Sequence, residues 1–504
     1  MTQAEPEIVA PEISLSQRTS RGFAWMLAQT LGSKVVGIAG QVFLARLLVP
    51  RDFGLVALAY SAAAPGWMLR QTGVPQILVQ KGDRFKRWAN AAFWMDLSLG
   101  LATAVLLLIS GPLAAVVFKA PQLVGLLQLI STTALLNGLM TVPQARLTRD
   151  MRFRELALVG LGYNVLAMAI SVAAASLGLG AYSLVIPLPI CLSLRALAVW
   201  RLAPVRIRPN PQLHRWRAMA PDSGRLMVAA AFGAALWVSC TLALGLFYSP
   251  PLVGFFSFAG SLSAQVSTLL SANLAAVLFP VLSTLRGDPP RQVAAFFRSA
   301  RALALAGVPL CLAEAVLARP LLLAVFGAKW LPAAPLLTLL ALSAAIGLVG
   351  GPAGNLMQAQ GRFHLSMKWS VASAVLVVVL AFPAARWGGP AWVAATWLIC
   401  TAALTPALLR SAARPGGGAM PDVARIYLPP LLLSALALAP AALGELFFPW
   451  LWAHPWADLG LAAITAPPLY AALLRRFRRA DLDELVSHLR RPWVSVESAP
   501  PPAG

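Results

Sequence analysis

Ala102 to Ser110 reads ATAVLLLIS and Val371 to Phe382 reads VASAVLVVVLAF. Each is the centre of an apolar run near the roughly 20 residues that a helix needs to cross a bilayer. Such runs recur along the whole chain. In lipid a backbone must satisfy its hydrogen bonds within each segment, so a chain of this kind folds as a set of membrane-crossing helices. Composition agrees: 59% of the 504 residues are hydrophobic and 12% are charged, about half the charge of a soluble domain. The sequence predicts an all-α polytopic membrane protein of about 14 transmembrane helices. Their spans are approximately 22–45, 53–72, 89–110, 123–143, 155–177, 181–200, 226–247, 252–279, 302–323, 335–357, 366–385, 391–410, 425–444 and 457–474.

Lysine and arginine collect on the cytoplasmic side of membrane proteins. With the N-terminus inside, one cytoplasmic connection carries Arg70, Lys81, Arg84, Lys86 and Arg87, and the next carries Arg146, Arg149, Arg152 and Arg154. A third carries Arg201, Arg206, Arg208, Arg215, Arg217 and Arg225. On this assignment about 32 of the 40 basic residues face the cytoplasm. The opposite parity reverses the ratio, so both termini are expected to be cytoplasmic. The outer connections are short, which leaves no extracellular domain to house an active site.

The net charge of +22 follows from those loops. No basic run is interleaved with stacking aromatics in a soluble module, so no nucleic-acid partner is expected. Cys191, Cys240, Cys311 and Cys400 all fall in apolar segments without a CxxC pair or a histidine cluster, which points to buried small side chains and no metal or disulfide. No GxxxxGK[ST] phosphate loop is present, so no nucleotide cofactor is expected. The N-terminal MTQAEPEIVAPEISLSQ is polar and acidic, unlike a cleaved signal, and the first apolar helix is expected to be retained.

The chain also repeats. LARLLVPRDFG (Leu44 to Gly54) returns as LGLFYSPPLVG (Leu244 to Gly254), with Pro50 matching Pro250, Gly54 matching Gly254, Ala59 matching Ala259 and Ser61 matching Ser261. VVFKAPQLVGLLQL after the third span is matched by AVFGAKWLPAAPLLTL after the ninth, and QARLTRDMRF after the fourth by QAQGRF after the tenth. Three matches in one order imply two six-helix lobes of the same orientation, related by a pseudo-two-fold along the membrane normal, plus two C-terminal helices. The expected organisation is an N-terminal tail 1–21, an N-lobe 22–200, a basic linker 201–225 and a C-lobe 226–410. Two added helices at 411–474 and an amphipathic segment with a tail at 475–504 complete it.

FLARLLVPRDFGLVALA, the QILVQKGD that follows the second span, RDMRFRELA and GFFSFAGSLSAQ resemble the bacterial polysaccharide flippases. These are the Wzx-like exporters of the multidrug/oligosaccharidyl-lipid/polysaccharide superfamily. The resemblance implies a flippase of the bacterial inner membrane that moves undecaprenyl-diphosphate-linked oligosaccharide units between leaflets by alternating access. Its product would feed exopolysaccharide, capsule or O-antigen synthesis. The implied partners are the lipid-linked oligosaccharide, membrane lipids and a polysaccharide polymerase or export machinery.

Such cargo needs a hydrated cavity with cationic and hydrogen-bonding side chains, because unpaired charge in the membrane interior costs several kcal/mol. Lys34 sits midway along the first span, with Gln41 seven residues on, on the same face, and Gln29 and Ser33 nearby. It is a candidate substrate contact, or else one half of an ion pair with a carboxylate such as Asp96. Arg70 and Arg195 are candidates to hold the diphosphate at the inner mouth; the alternative is snorkelling to headgroups. Asp96 and Glu314, in the third helix of each repeat, are candidate ion-coupling carboxylates, against charge balance for Asp96 and a pair with Arg319 for Glu314. Asn273, with Asn137, Asn164, Gln265, Asn355 and Gln358, either lines a sugar path or bonds helix to helix.

Two basic amphipathic segments, Gly287 to Arg301 and Arg475 to Trp493, read as helices lying on the anionic leaflet. Asp288 is the expected N-cap of the first. Rival functions are a drug or organic-cation antiporter of the same superfamily, whose cavity would be acidic or aromatic, and a flippase for the peptidoglycan lipid precursor. A membrane glycan polymerase or ligase would need catalytic groups on the outer face.

Overall fold

A computed structural model of the chain describes residues 15–70, 74, 78, 84–285, 287–447, 450 and 454–479. Side chains at 15–23, 218–231, 272–277, 279–281, 445 and 446 lie outside that description. The regular structure of the described residues is helical throughout. Ten segments among them are long and apolar enough to cross a membrane, so the protein is a multi-pass membrane protein. One of the ten, Phe363–Gly416, holds two of the expected spans. The three remaining expected spans lie on the helices Leu15–Leu47, Pro50–Arg70 and Leu213–Phe247.

The chain divides into two compact units, Met1–Gly254 and Phe255–Gly504. The first contains α1 (Leu15–Leu47), α2 (Pro50–Arg70), α3 (Phe85–Val117), α4 (Gln122–Arg149), α5 (Phe153–Ser176), α6 (Pro187–Leu202) and α7 (Leu213–Phe247). Here α1 packs on α5, α3 on α4, and α4 on α6, while α2 packs on α3, α4 and α7. The repeat assigns α7 to the second lobe, yet it lies in this unit. Small residues allow it: a side chain at Gly245 would strike Leu58 and Phe118.

The helix α8 (Pro250–Thr284) starts in the first unit and continues into the second. The second unit then adds α9 (Pro289–Val316), α10 (Ala334–Gly347), α11 (Gly350–Ala359), α12 (Phe363–Ala413), α13 (Met420–Phe447) and α14 (Pro455–Phe477). The 51-residue α12 is two helices merged across Gly389, at φ 75° and ψ −165°. That backbone is essentially glycine-only, and Pro390 behind it disfavours helix at the preceding residue. The two appended helices pack in series, α13 on α9 and α14 on α13. Tyr427 donates its hydroxyl to the Ile346 carbonyl at 2.7 Å, and Tyr470 donates to that of Leu305 at 2.9 Å.

Three pairs of turns carry the repeat into geometry. The first helix ends at Leu47 and the second begins at Pro50; two hundred residues on, α7 ends at Phe247 and α8 begins at Pro250. Lys119, after Phe118, and Gly327, after Phe326, both have positive φ, 51° and 98°. Met151 and Gly361 do as well, at 53° and 75°, and each precedes an Arg-Phe pair that opens a helix. In both pairs the arginine reaches the last turn of the sixth helix of its own repeat. Arg152 donates to the Leu202 carbonyl at 2.8 Å, and Arg362 to the Ser411 carbonyl at 2.9 Å.

The Gly287–Arg301 segment differs from its expected place on the leaflet. Asp288 does cap the helix, accepting from the Arg291 backbone at 3.1 Å. The helix then runs unbroken to Val316, and Val293 and Phe296 are packed among Leu278, Leu282, Ala412 and Val423. Its apolar face is wide enough to join the core rather than float on lipid. Of the Arg475–Trp493 segment, residues 480–493 lie outside the described residues.

Candidate functional site

Two clusters of polar side chains join helices within the first unit. One is a seam between α1 and α5 at mid-helix. Asn164 donates to the Ser33 hydroxyl at 2.8 Å. One turn away, the Gln29 amide fills the space over Gly160, and Met168 closes over Gly40. Residues 160, 164 and 168 share one face of α5, so the two helices meet along a line of small and polar side chains. Lys34 and Gln41 are on α1 beside this seam, and both are half-buried.

The second cluster joins α2, α3 and α4. Arg70 Nη1 lies 3.0 Å from Asp96 Oδ2 and also donates to the Asp96 carbonyl at 3.1 Å. The Thr141 hydroxyl donates to the same carboxylate oxygen, and Asn137, one turn before Thr141, bonds the Thr133 carbonyl at 2.7 Å. Gly100 and Gly138 let α3 and α4 approach closely beside the pair: a Cβ at Gly100 would sit 2.8 Å from the Ala134 carbonyl oxygen, and one at Gly138 3.2 Å from that of Asp96. The Arg70 side chain is 10% exposed and that of Asp96 2%. Arg70 therefore holds an ion pair inside the unit, where the sequence allowed snorkelling or phosphate capture. Asp96 is at the centre of this buried network, and losing either member of the pair would strand the other charge.

Arg195 of α6 stacks over the Tyr163 ring, 5.4 Å from its centroid, next to Asn164 on α5. Its buried Nε has no hydrogen-bond partner among the described residues. In the second unit the buried Oε2 of Glu314, two residues before the end of α9, likewise has none. The side chain of Asn273 lies outside the described residues. The four cysteines are buried and unbridged.

The structure adds a carboxylate that sequence reading missed. Asp458 in the first turn of α14 is 1% exposed, and its Oδ1 has no partner among the described residues. An aspartate just after a proline reads as an ordinary helix start, favoured by the dipole, and only packing reveals its burial.

Ionisable side chains buried in membrane-crossing helices are candidates for function, and the fold that carries them here is that of a multi-pass membrane protein. The fold is that of the solved structure "Lipid II flippase MurJ, inward closed conformation": the TM-score is 0.74 at 14% identity, covering 92% of this chain and all of that one. Residues 43–335, more than half of the chain, match the polysaccharide biosynthesis protein family, and the chain belongs to that family. It is 22% identical over 387 residues to the teichuronic acid biosynthesis protein TuaB of Bacillus subtilis, covering 75% of this chain and 80% of that protein. It is 24% identical over 331 residues to the succinoglycan biosynthesis transport protein ExoT of Rhizobium meliloti, covering 66% and 67%.

Proposed function

We propose that the chain is a flippase that carries undecaprenyl-diphosphate-linked oligosaccharide units from the inner to the outer leaflet of a bacterial inner membrane, without itself catalysing a covalent reaction. The observation that carries this reading is the mid-helix polar seam, where Lys34 and Gln41 lie beside the Ser33–Asn164 bond. An ammonium at that depth suits an anionic cargo and repels an organic cation, which sets the drug-antiporter reading aside. Family membership and the transport function in the name of ExoT support the same conclusion.

In this reading Lys34 and Gln41 meet the diphosphate and first sugar, and Arg195, with Nε unsatisfied, receives the diphosphate near the inner mouth. Asn273 lines the sugar path. Arg70 and Asp96 brace the N-lobe, and Glu314 is the coupling carboxylate. The lobes are 22–200 and 226–410, joined by the basic linker 201–225 and followed by helices at 411–474 and a tail at 475–504. Both termini are cytoplasmic in this reading, which the distribution of basic residues supports, and a polymerase or export complex takes the product. Depleting the protein in its own cell tests this. The expected result is build-up of lipid-linked oligosaccharide shielded from a glycosidase added outside; unchanged levels and exposure of these lipids would overturn the reading.

A further inference from the structure

The stretch between α6 and α7 has the composition of a soluble basic linker, but it is not free. From Pro204 to Arg208 the chain runs without helix or turn, before it bends at Pro209, and it is lashed across the end of α3. Asn90, 8% exposed, holds it twice, accepting from the Arg208 amide at 2.7 Å and donating to the Asn210 carbonyl. Trp94 Nε1 donates to the Arg208 carbonyl at 2.8 Å. Arg146 donates to the Pro204 carbonyl.

The segment also alternates. Val205 and Ile207 pack against the cluster of Val74, Leu78, Phe85 and Phe93, while Arg206 between them and Arg208 after them are exposed. In extended chain successive side chains point to opposite faces, so every second residue presents a guanidinium outward. Neither of these guanidinium groups has an ion-pair or hydrogen-bond partner among the described residues. The described carboxylates at this end of the bundle are engaged elsewhere: Asp150 pairs with Arg146 at 3.6 Å and Glu155 with Arg152 at 3.0 Å. The strap lies where α3, α6 and α7 begin or end, which is where spanning helices leave the bilayer.

We infer that this strap is a fixed cationic comb that binds the phosphodiester headgroups of anionic phospholipids at the membrane surface. A mobile basic loop would have to give up conformational freedom on binding; this one is held in place by Asn90 and Trp94, with its charges already aimed away from the core. Each arginine near an anionic surface contributes about fivefold in affinity at physiological salt. The inference is independent of the transport reading, since it concerns lipids of the bilayer and not the cargo.

The test titrates full-length protein in neutral detergent with short-chain phosphatidylglycerol, phosphatidylcholine or inorganic diphosphate. Wild type is expected to prefer phosphatidylglycerol to phosphatidylcholine, and the preference should fall as salt rises. Arg206→Gln/Arg208→Gln should reduce it by more than tenfold. Asn90→Ala keeps every positive charge but frees the strap, and should reduce it as well. Equal binding of the two lipids by wild type, or an unchanged preference in the double variant, would overturn the inference. A wild-type preference in Asn90→Ala would overturn the fixed strap, and equal competition by diphosphate would show a free-phosphate site instead.

Discussion

Gly54 and Gly254 lie against one another, and the relationship is reciprocal. A Cβ on Gly54 would collide with the Pro250 carbonyl oxygen and come within 2.9 Å of the Gly254 nitrogen. A Cβ on Gly254 would collide with the Pro50 carbonyl oxygen and come within 3.1 Å of the Gly54 nitrogen. Each proline opens a helix and each glycine follows four residues later, so the first turns of α2 and α8 cross backbone to backbone. The repeated Pro-x-x-x-Gly of the sequence is thus one local two-fold contact, made once by both copies.

That crossing predicts a sharp contrast among glycines. Gly54→Ala or Gly254→Ala puts a methyl group into a carbonyl and should destabilise by about 1–3 kcal/mol, as overpacking does. Gly37→Ala, on α1 with nothing within 4 Å of the added atom, should cause no loss. Thermal unfolding in detergent reads the difference; equal transitions for the three variants would contradict the backbone crossing.

The second repeat places glycine at 361 where the first has Met151, and both backbones are left-handed. A non-glycine residue there carries a strain of roughly 1–2 kcal/mol. Met151→Gly should therefore raise stability by about 1 kcal/mol, net of the extra freedom it gives the unfolded chain. The readout is a denaturation midpoint, and a lowered one would show that the two turns are not equivalent.

Breaking the buried Arg70–Asp96 pair should cost more than replacing it. Arg70→Ala or Asp96→Asn leaves one partner stranded and should lose about 3–5 kcal/mol. Replacing both by leucine should lose less than either single change. If the double variant is the least stable of the three, Arg70 and Asp96 are not coupled as their 3.0 Å contact requires.

The parts legible in the sequence were those set by local chemistry. Apolar runs of about 20 residues were enough for the spans, and the boundary between the spans 366–385 and 391–410 falls where α12 bends at Gly389. The turn at Pro50 was visible because proline and glycine act locally. The Arg70–Asp96–Thr141 network was not visible as a unit, since its members lie on three helices and pairing is decided by how those helices meet. The strap was hidden for a related reason: Val205 and Ile207 alternate with arginine over too few residues to stand out from a basic loop. The burial of Phe296 was misread because an amphipathic face looks the same whether lipid or protein covers it.

Leaflet transfer in reconstituted vesicles reads whether Lys34 meets an anionic lipid-linked cargo. Wild-type protein should move an undecaprenyl-diphosphate-linked oligosaccharide between leaflets. Lys34→Gln, inserted in equal amount and unfolding at the same temperature, should be slower by about tenfold or more. That is the loss expected when a hydrogen bond to a charged group, worth about 1.5–3 kcal/mol, is removed. Lys34→Arg should retain part of the rate, because it keeps the charge but not the shape. Transfer by Lys34→Gln at the wild-type rate would contradict the account.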